Sequence, residues 1–285
     1  MLLIYTPTIT PRLRYIFSLI FSDILKIEIE ITSDKEKFLD YQGAKLNYSE
    51  EQIGDEPLFH PSGLLFEKNI TNQLINVFEW EDTKAFFAVP AKSVFPFDPF
   101  AAAFYLVSRY EEYLPFNEDE HGRFEADQSL AYQSEFLQKP LVNIWAEKIK
   151  DVLQIKYPEL IFPERKYEYL STIDIDNAYA YKGKGFMRTT GALMRTLTKF
   201  NNVGFINRIN VVFFNAPDPY DTYIKMREIK KKYNVNSVYF FLVGQYGAHD
   251  KNLSITQKGF QSLIKSTADY SDVGIHPSYS SNKDP

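Results

Sequence analysis

Two carboxylates stand two residues apart at the end of a run that is typical of a β-strand. The run covers residues 167–175, and the acids are Asp174 and Asp176. Side chains alternate between the two faces of a strand, so both acids should share one face while Ile173 and Ile175 occupy the other. Paired carboxylates on an apolar strand are costly unless something holds or uses them. The spacing therefore predicts either a metal site or a proton-accepting acid beside a metal-binding acid.

A histidine ends a second short apolar run much later in the chain, in the order Val273, Gly274, Ile275, His276. The two runs together resemble the motifs of the polysaccharide deacetylase family, which is the NodB-like, carbohydrate esterase type. In that family, an acid that acts as a base precedes an acid that binds the metal, and two histidines four positions apart follow.

The resemblance implies a role for each matching position. Asp174 would be the base, while Asp176 and His276 would bind a divalent metal, with zinc expected. Ser280 stands where the family has its second histidine, so its hydroxyl or a water would fill that position. A hydroxyl is a weaker ligand for zinc than a neutral imidazole.

The implied activity is hydrolysis of a carbon–nitrogen bond that is not a peptide bond. Its expected form is N-deacetylation of a glycan that contains amino sugars. Two alternatives stay open. One is a catalytically silent relative that binds glycans, which is consistent with Ser280. The other is a nucleotide-sugar glycosyltransferase in which Asp174 and Asp176 hold one cation and His276 has no role. The two acids could also simply cap a following helix.

The pattern of predicted elements changes near residue 165. The first half combines strands, helices and long loops, which predicts an α+β accessory domain at 1–165 with no assigned role. The second half alternates strands with helices, which favours parallel β/α units. One of those helices is expected to start at Asp218-Pro219, with Asp221 as its capping partner. The expected fold class is α/β, and the resemblance implies an incomplete, distorted (β/α) barrel of the polysaccharide deacetylase type at 166–285.

Length is the reason for expecting an incomplete barrel. The second part has 120 residues (285 − 166 + 1), whereas barrels of this kind need about 200 or more. The family's later motifs, which supply the second catalytic group, are not found in this sequence. We therefore expect a truncated chain that is inactive by itself. Open sheet edges would then favour a homo-oligomer.

A basic segment at 177–217 follows the acid motif directly. It contains no acidic residue and has six cations, namely Lys182, Lys184, Arg188, Arg195, Lys199 and Arg208. One interpretation is a pair of surface helices packed on the rim of the barrel. The other is recognition of an anionic or lipid-phosphate-linked glycan, or of a membrane surface.

Composition narrows the possible classes of protein. The chain of 285 residues has no cysteine, which excludes disulfides and thiolate metal sites. A net charge of −5 and the lack of a recognisable motif argue against nucleic acid as a partner. No apolar run reaches the roughly 18 residues of a transmembrane helix. The N-terminal residues resemble a strand more than a secretion signal, so a cytoplasmic location is expected.

Overall fold

The chain forms two compact units, Met1–Arg165 and Lys166–Pro285. A computed structural model describes residues 1–198, 202–247 and 249–282. The described residues combine helices with parallel strands, which confirms the predicted α/β class. No helix among these residues is both long enough and apolar enough to cross a membrane.

Unit 1 contains a three-stranded parallel sheet, a short hairpin and five α-helices among its described elements. The sheet has the order β2-β1-β3, and the hairpin joins β4 to β5 in antiparallel pairing. The strands are β1 (Leu2–Tyr5), β2 (Ile29–Thr32), β3 (Ala44–Asn47), β4 (Phe78–Trp80) and β5 (Thr83–Ala85). The helices are α1 (Pro11–Phe17, continued as a π-helix over Ser18–Ile24), α2 (Lys35–Asp40), α3 (Pro99–Val107), α4 (Leu130–Gln133) and α5 (Leu141–Lys156).

Four of the five α-helices described in unit 1 begin after a residue whose side chain caps them. Thr10 caps α1, and its hydroxyl accepts a hydrogen bond from the backbone N–H of Leu13 at 3.2 Å. Asp98 caps α3 and is fully buried. Its second carboxylate oxygen accepts from the Tyr48 hydroxyl at 2.7 Å and from the Ser62 N–H at 2.8 Å. The Asp98 carboxylate thus joins a helix start to two loops.

Aromatic side chains dominate the core of unit 1. The Phe100 ring packs edge-on against Phe17, Tyr48 and Phe59, with centroid distances of 4.9–5.5 Å. Edge-to-face pairs are a favourable arrangement because a positive ring edge meets a negative ring face. Both tryptophans of the chain, Trp80 and Trp145, also pack in this core. Much of the aromatic content of the sequence is therefore core material.

Unit 2 contains a second parallel sheet with the order β6-β7-β8. The strands are β6 (Leu170–Ile175), β7 (Asn236–Leu242) and β8 (Asp272–His276), and the helices are α6 (Gly185–Thr198), α7 (Asn202–Phe213), α8 (Tyr223–Tyr233) and α9 (Lys258–Ala268). The three strands form an open sheet, and no closure into a barrel occurs among the described residues. Lys199 of the basic segment lies outside those residues.

Alternation along β6 agrees with the sequence prediction. Ile175 is buried in the core of unit 2 with Tyr239, Phe241 and Phe260, and Ile173 packs against the same cluster. Thr172 and Asp174 are exposed. One face of β6 therefore holds the strand on the core, and the other leaves the first acid accessible to solvent.

The predicted start of α8 was wrong. The helix begins at Tyr223, and its N-cap residue Thr222 makes no side-chain capping bond. Asp218 instead points its carboxylate at the loop that follows β6. A buried carboxylate that accepts several charge-assisted hydrogen bonds from backbone N–H groups is stabilised more than a carboxylate that caps an exposed helix start.

Candidate functional site

The site lies at the carboxyl end of the unit 2 sheet, where β6 and β8 end on either side of β7. Neighbouring strands lie about 4.8 Å apart, so the backbones of β6 and β8 are separated by roughly twice that distance. The side chains of Asp176 and His276 reach across the end of β7 toward each other. Asp176 Oδ1 lies 3.7 Å from His276 Nε2. The structure thus brings together two residues that the sequence separates widely.

The separation of these two atoms fits a shared divalent cation. Zinc lies at about 2.0–2.1 Å from a histidine nitrogen and about 2.0–2.2 Å from a carboxylate oxygen, so one ion can bridge up to about 4.3 Å. The observed 3.7 Å is within that limit. Asp176 is exposed and His276 is half-buried, so the pair is accessible from solvent.

The orientation of the His276 ring is set by its neighbour in the sequence. Nδ1 lies 2.9 Å from the Pro277 carbonyl oxygen, which can only accept, so Nδ1 carries the hydrogen in this contact. In a neutral ring the lone pair is then on Nε2, which faces the Asp176 carboxylate. Two electron-rich atoms face each other, and a proton or a cation between them would make the contact favourable. His60 makes the same contact with the Pro61 carbonyl at 3.0 Å, so the His-Pro dipeptide produces it locally.

The two other predicted site residues lie outside this pair. Asp174 is exposed on β6, and its carboxylate makes no hydrogen bond or ion pair within the described part of the chain. Ser280 is in the 3₁₀ turn Tyr279–Asn282, where its hydroxyl lies 2.9 Å from the Ser278 hydroxyl. No hydrogen bond links Ser280 to Asp176 or His276 among the described residues.

A complete set of acidic and histidine ligands is not present in the described ranges. No group of three or more His, Cys, Asp or Glu side chains there is arranged to hold a metal. A cation bound by Asp176 and His276 would complete its coordination with hydroxyls, backbone carbonyls or water. Hard cations and zinc both accept oxygen ligands of these kinds.

Asp218 fixes the loop that follows β6 and was missed as a site residue. One of its carboxylate oxygens accepts from the N–H groups of Ala180 (2.8 Å) and Tyr220 (3.0 Å). The other accepts from Tyr181 (2.8 Å) and Lys182 (3.0 Å). Burial alone would raise the pKa of Asp218, but these four hydrogen bonds outweigh it and lower the pKa. The charged carboxylate therefore holds the loop just after Asp176.

The loop after β7 packs against the residues that follow His276. Asp250 accepts from the Tyr279 N–H with both carboxylate oxygens at 3.1 Å. The His249 ring stacks on the Tyr279 ring at a centroid distance of 4.1 Å. Gly244 permits this approach, because a Cβ there would lie 2.6 Å from the Ser278 Cβ.

The fold and the site together define an α/β protein with an acid–histidine pair at the carboxyl edge of a parallel sheet. Residues 2–158 match the model of a family of unknown function, DUF7033. This match covers just over half of the chain, and the protein belongs to that family. The matched residues lie within unit 1, so the pair in unit 2 is outside them. Searches of curated proteins and of solved structures found no match.

Proposed function

We propose that this protein is a metal-dependent hydrolase that removes an N-acetyl group from an amino-sugar-containing glycan. The observation that carries the proposal is the approach of Asp176 Oδ1 to His276 Nε2 at 3.7 Å. The resemblance of both motifs to polysaccharide deacetylases supplies the substrate class. A (β/α) barrel as the fold of the complete catalytic domain is part of the same proposal.

Each residue of the site would have a separate task. Asp176 and His276 would hold a divalent cation, with zinc as the first choice. When bound, such a cation polarises an acetyl carbonyl and lowers the pKa of a water molecule. Asp174 would accept the proton of the attacking water. Alternation along the strand puts its carboxylate on the same face as that of Asp176, and it has no other partner among the described residues. The Pro277 carbonyl would keep the His276 ring in the required tautomer.

The main test measures zinc binding to the purified full chain by calorimetry. Asp176→Asn and His276→Gln should each weaken zinc binding by at least about tenfold, because each removes one of two ligands. His60→Gln is the matched control, since that ring makes the same contact with a following proline. Equal zinc affinity of the original protein and of the Asp176→Asn, His276→Gln double variant would refute the metal site.

Catalysis is tested separately by acetate release from oligomers of N-acetylglucosamine, measured with the full-length protein in the presence of zinc. Release that disappears in Asp174→Asn, while zinc uptake stays unchanged, would support the assigned base. A glycan-binding protein without activity is the second candidate, and the contact between Ser280 and Ser278 favours it. Zinc-independent binding of the same oligomers without acetate release would select that candidate.

The nucleotide-sugar transferase is less consistent with the geometry. That function would use Asp174 and Asp176 on one cation and leave His276 without a role. The close approach of His276 to Asp176 gives the histidine a place in the site. Zinc or manganese binding that survives His276→Gln but is lost in Asp174→Asn would reverse this preference.

A further inference from the structure

The parallel sheet of unit 1 has a reversal of strand order at its centre. β1 is the middle strand, and the chain runs from it to β2 on one side and then crosses to β3 on the other. At such a reversal the loops that follow the two neighbouring strands diverge, and open parallel sheets bind their ligands in the crevice between them. The topology therefore predicts a ligand site at the carboxyl ends of β1 and β3.

A cleft of about 460 Å³ lies at this edge of the sheet. Its volume is within the range of about 300–1,000 Å³ that is common for small-molecule sites. All three strands lead to it, since Tyr5 ends β1, Lys35 begins the helix after β2, and Ser49 follows β3 by two residues. The cleft thus occupies the position that the strand order predicts.

Two aromatic rings that line the cleft are held in place by further rings. Tyr5 packs against Phe38 at a centroid distance of 5.4 Å, and Phe66 stacks on the buried Tyr48 at 6.0 Å. The Tyr48 hydroxyl in turn donates to the Asp98 carboxylate at 2.7 Å. The apolar part of the cleft is formed before a ligand binds, which lowers the entropy cost of binding.

Buried polar groups fix the loop that follows β3. The Asn47 side-chain amide donates to the Glu51 carbonyl oxygen at 2.8 Å and to the buried Glu56 carboxylate at 3.0 Å. The same Glu56 oxygen accepts from the N–H groups of Ile53 at 3.3 Å and of Gly54 at 3.2 Å. The backbone on this side of the cleft is therefore also held in one arrangement.

Charged groups of the cleft define the chemistry of its ligand. The exposed carboxylates of Glu50 and Glu51 line it, and neither makes a hydrogen bond or an ion pair within the described part of the chain. Lys35 supplies one ammonium group, so negative charge prevails. A phosphate would be repelled, and residues 6–10 after β1 lack the glycines that let a backbone approach phosphate closely. The cleft therefore favours a cationic ligand that also has an apolar side.

We propose that this cleft of unit 1 binds a sugar unit that carries a free amino group. One side of a pyranose ring presents C–H groups, which suit the Tyr5 and Phe66 rings. Its ammonium and hydroxyl groups would donate charge-assisted hydrogen bonds to Glu50 and Glu51. Deacetylation of a glycan produces such units, so this choice of ligand rests on the proposed function. The position of the cleft is independent of that function.

Calorimetry with the full chain carrying Asp176→Asn and His276→Gln tests the proposal, because binding then occurs without the acid–histidine pair. We expect the tetramer of glucosamine to bind at least about tenfold more tightly than the tetramer of N-acetylglucosamine at about pH 6, where the free amino groups are charged. Raising the salt from about 0.1 M to 0.5 M should reduce this preference. Bound glucosamine tetramer should also slow the hydrogen exchange of the amides of residues 49–53.

Charge variants assign the preference to the cleft. Adding Glu50→Gln and Glu51→Gln should abolish it, since these substitutions remove both carboxylates of the cleft. Adding Glu159→Gln and Glu164→Gln is the matched control, which removes the same charge from exposed positions outside the cleft and should retain the preference. Equal affinity for the two tetramers, no binding of either, or a preference that survives the loss of Glu50 and Glu51 would overturn the proposal. A lack of zinc binding or of acetate release by the unsubstituted chain would instead count against the proposed function.

Discussion

The substitution Asp218→Ala tests whether one carboxylate holds the loop after β6. It leaves four backbone N–H groups without their acceptor, at Ala180, Tyr181, Lys182 and Tyr220. An N–H group that loses a buried partner costs about 1–3 kcal/mol. Water can reach part of an opened loop, so the lower end of this range applies. Three of the four N–H groups belong to residues 180–182, so at about 1 kcal/mol each we expect this loop to lose about 3 kcal/mol of stability against local opening.

Hydrogen exchange measures this loss where it occurs. A change of about 3 kcal/mol corresponds to a roughly hundredfold lower protection factor for the amides of residues 180–182. Asp221→Ala is the matched control, since that exposed acid only pairs with the Lys182 ammonium at 3.4 Å. Its effect should stay within about 0.5 kcal/mol. Trp80 and Trp145 both lie in unit 1, so tryptophan fluorescence should report no change there for Asp218→Ala.

The pH dependence of protection supplies an independent check. The folded pKa of Asp218 is lowered, so its contribution to stability is present above the unfolded pKa of about 3.9 and is lost as the pH falls through the folded value. Protection of residues 180–182 should therefore fall on acidification below about pH 4. The difference between the original protein and Asp218→Ala should disappear at the same time. Equal protection in both proteins at pH 7 would refute the reasoning.

Two further predictions concern the packing of each unit. Gly244→Ala should lower the stability of unit 2 by about 1–3 kcal/mol and weaken zinc binding, because its new Cβ would lie 2.6 Å from the Ser278 Cβ. In Gly247→Ala the nearest atom of the described residues would lie 4.0 Å from the new Cβ, so calorimetric zinc affinity should stay unchanged. Asp98→Ala removes a helix cap and the acceptor of the Tyr48 hydroxyl. It should lower the guanidinium midpoint of the tryptophan fluorescence transition by an amount equivalent to about 2–4 kcal/mol. An unchanged midpoint would contradict the role assigned to Asp98.

Local signals in the sequence predict several elements of the fold. Thr10 followed by Pro11 defines the start of α1, because a hydroxyl cap and a proline in the first turn both favour a helix there. The apolar run at 237–243 agrees with β7 at Asn236–Leu242 to within one residue. Alternation places Ile175 in the core and leaves Asp174 exposed, as expected for a strand with one packed face.

Local patterns in the sequence do not predict the long-range contacts of the fold. Asp218 precedes a proline and was expected to cap a helix, yet its carboxylate binds a loop almost forty residues earlier. That choice depends on which N–H groups the fold leaves unpaired. The approach of Asp176 to His276 likewise depends on β7 lying between β6 and β8, and no local pattern in the sequence determines that order. Barrel closure and the identity of a third ligand stay predictions.

The repeated His-Pro dipeptide gives the molecule an internal reference for its own site. His60 and His276 are both half-buried, and both direct Nδ1 to the carbonyl of the following proline. Among the described residues, His276 also faces a carboxylate, that of Asp176, and His60 faces none. The two rings therefore share the same local backbone contact and differ in this neighbour. Added zinc should shift the ring proton resonances of His276 and leave those of His60 in place, so the response of the site to a cation can be observed without a second protein for comparison.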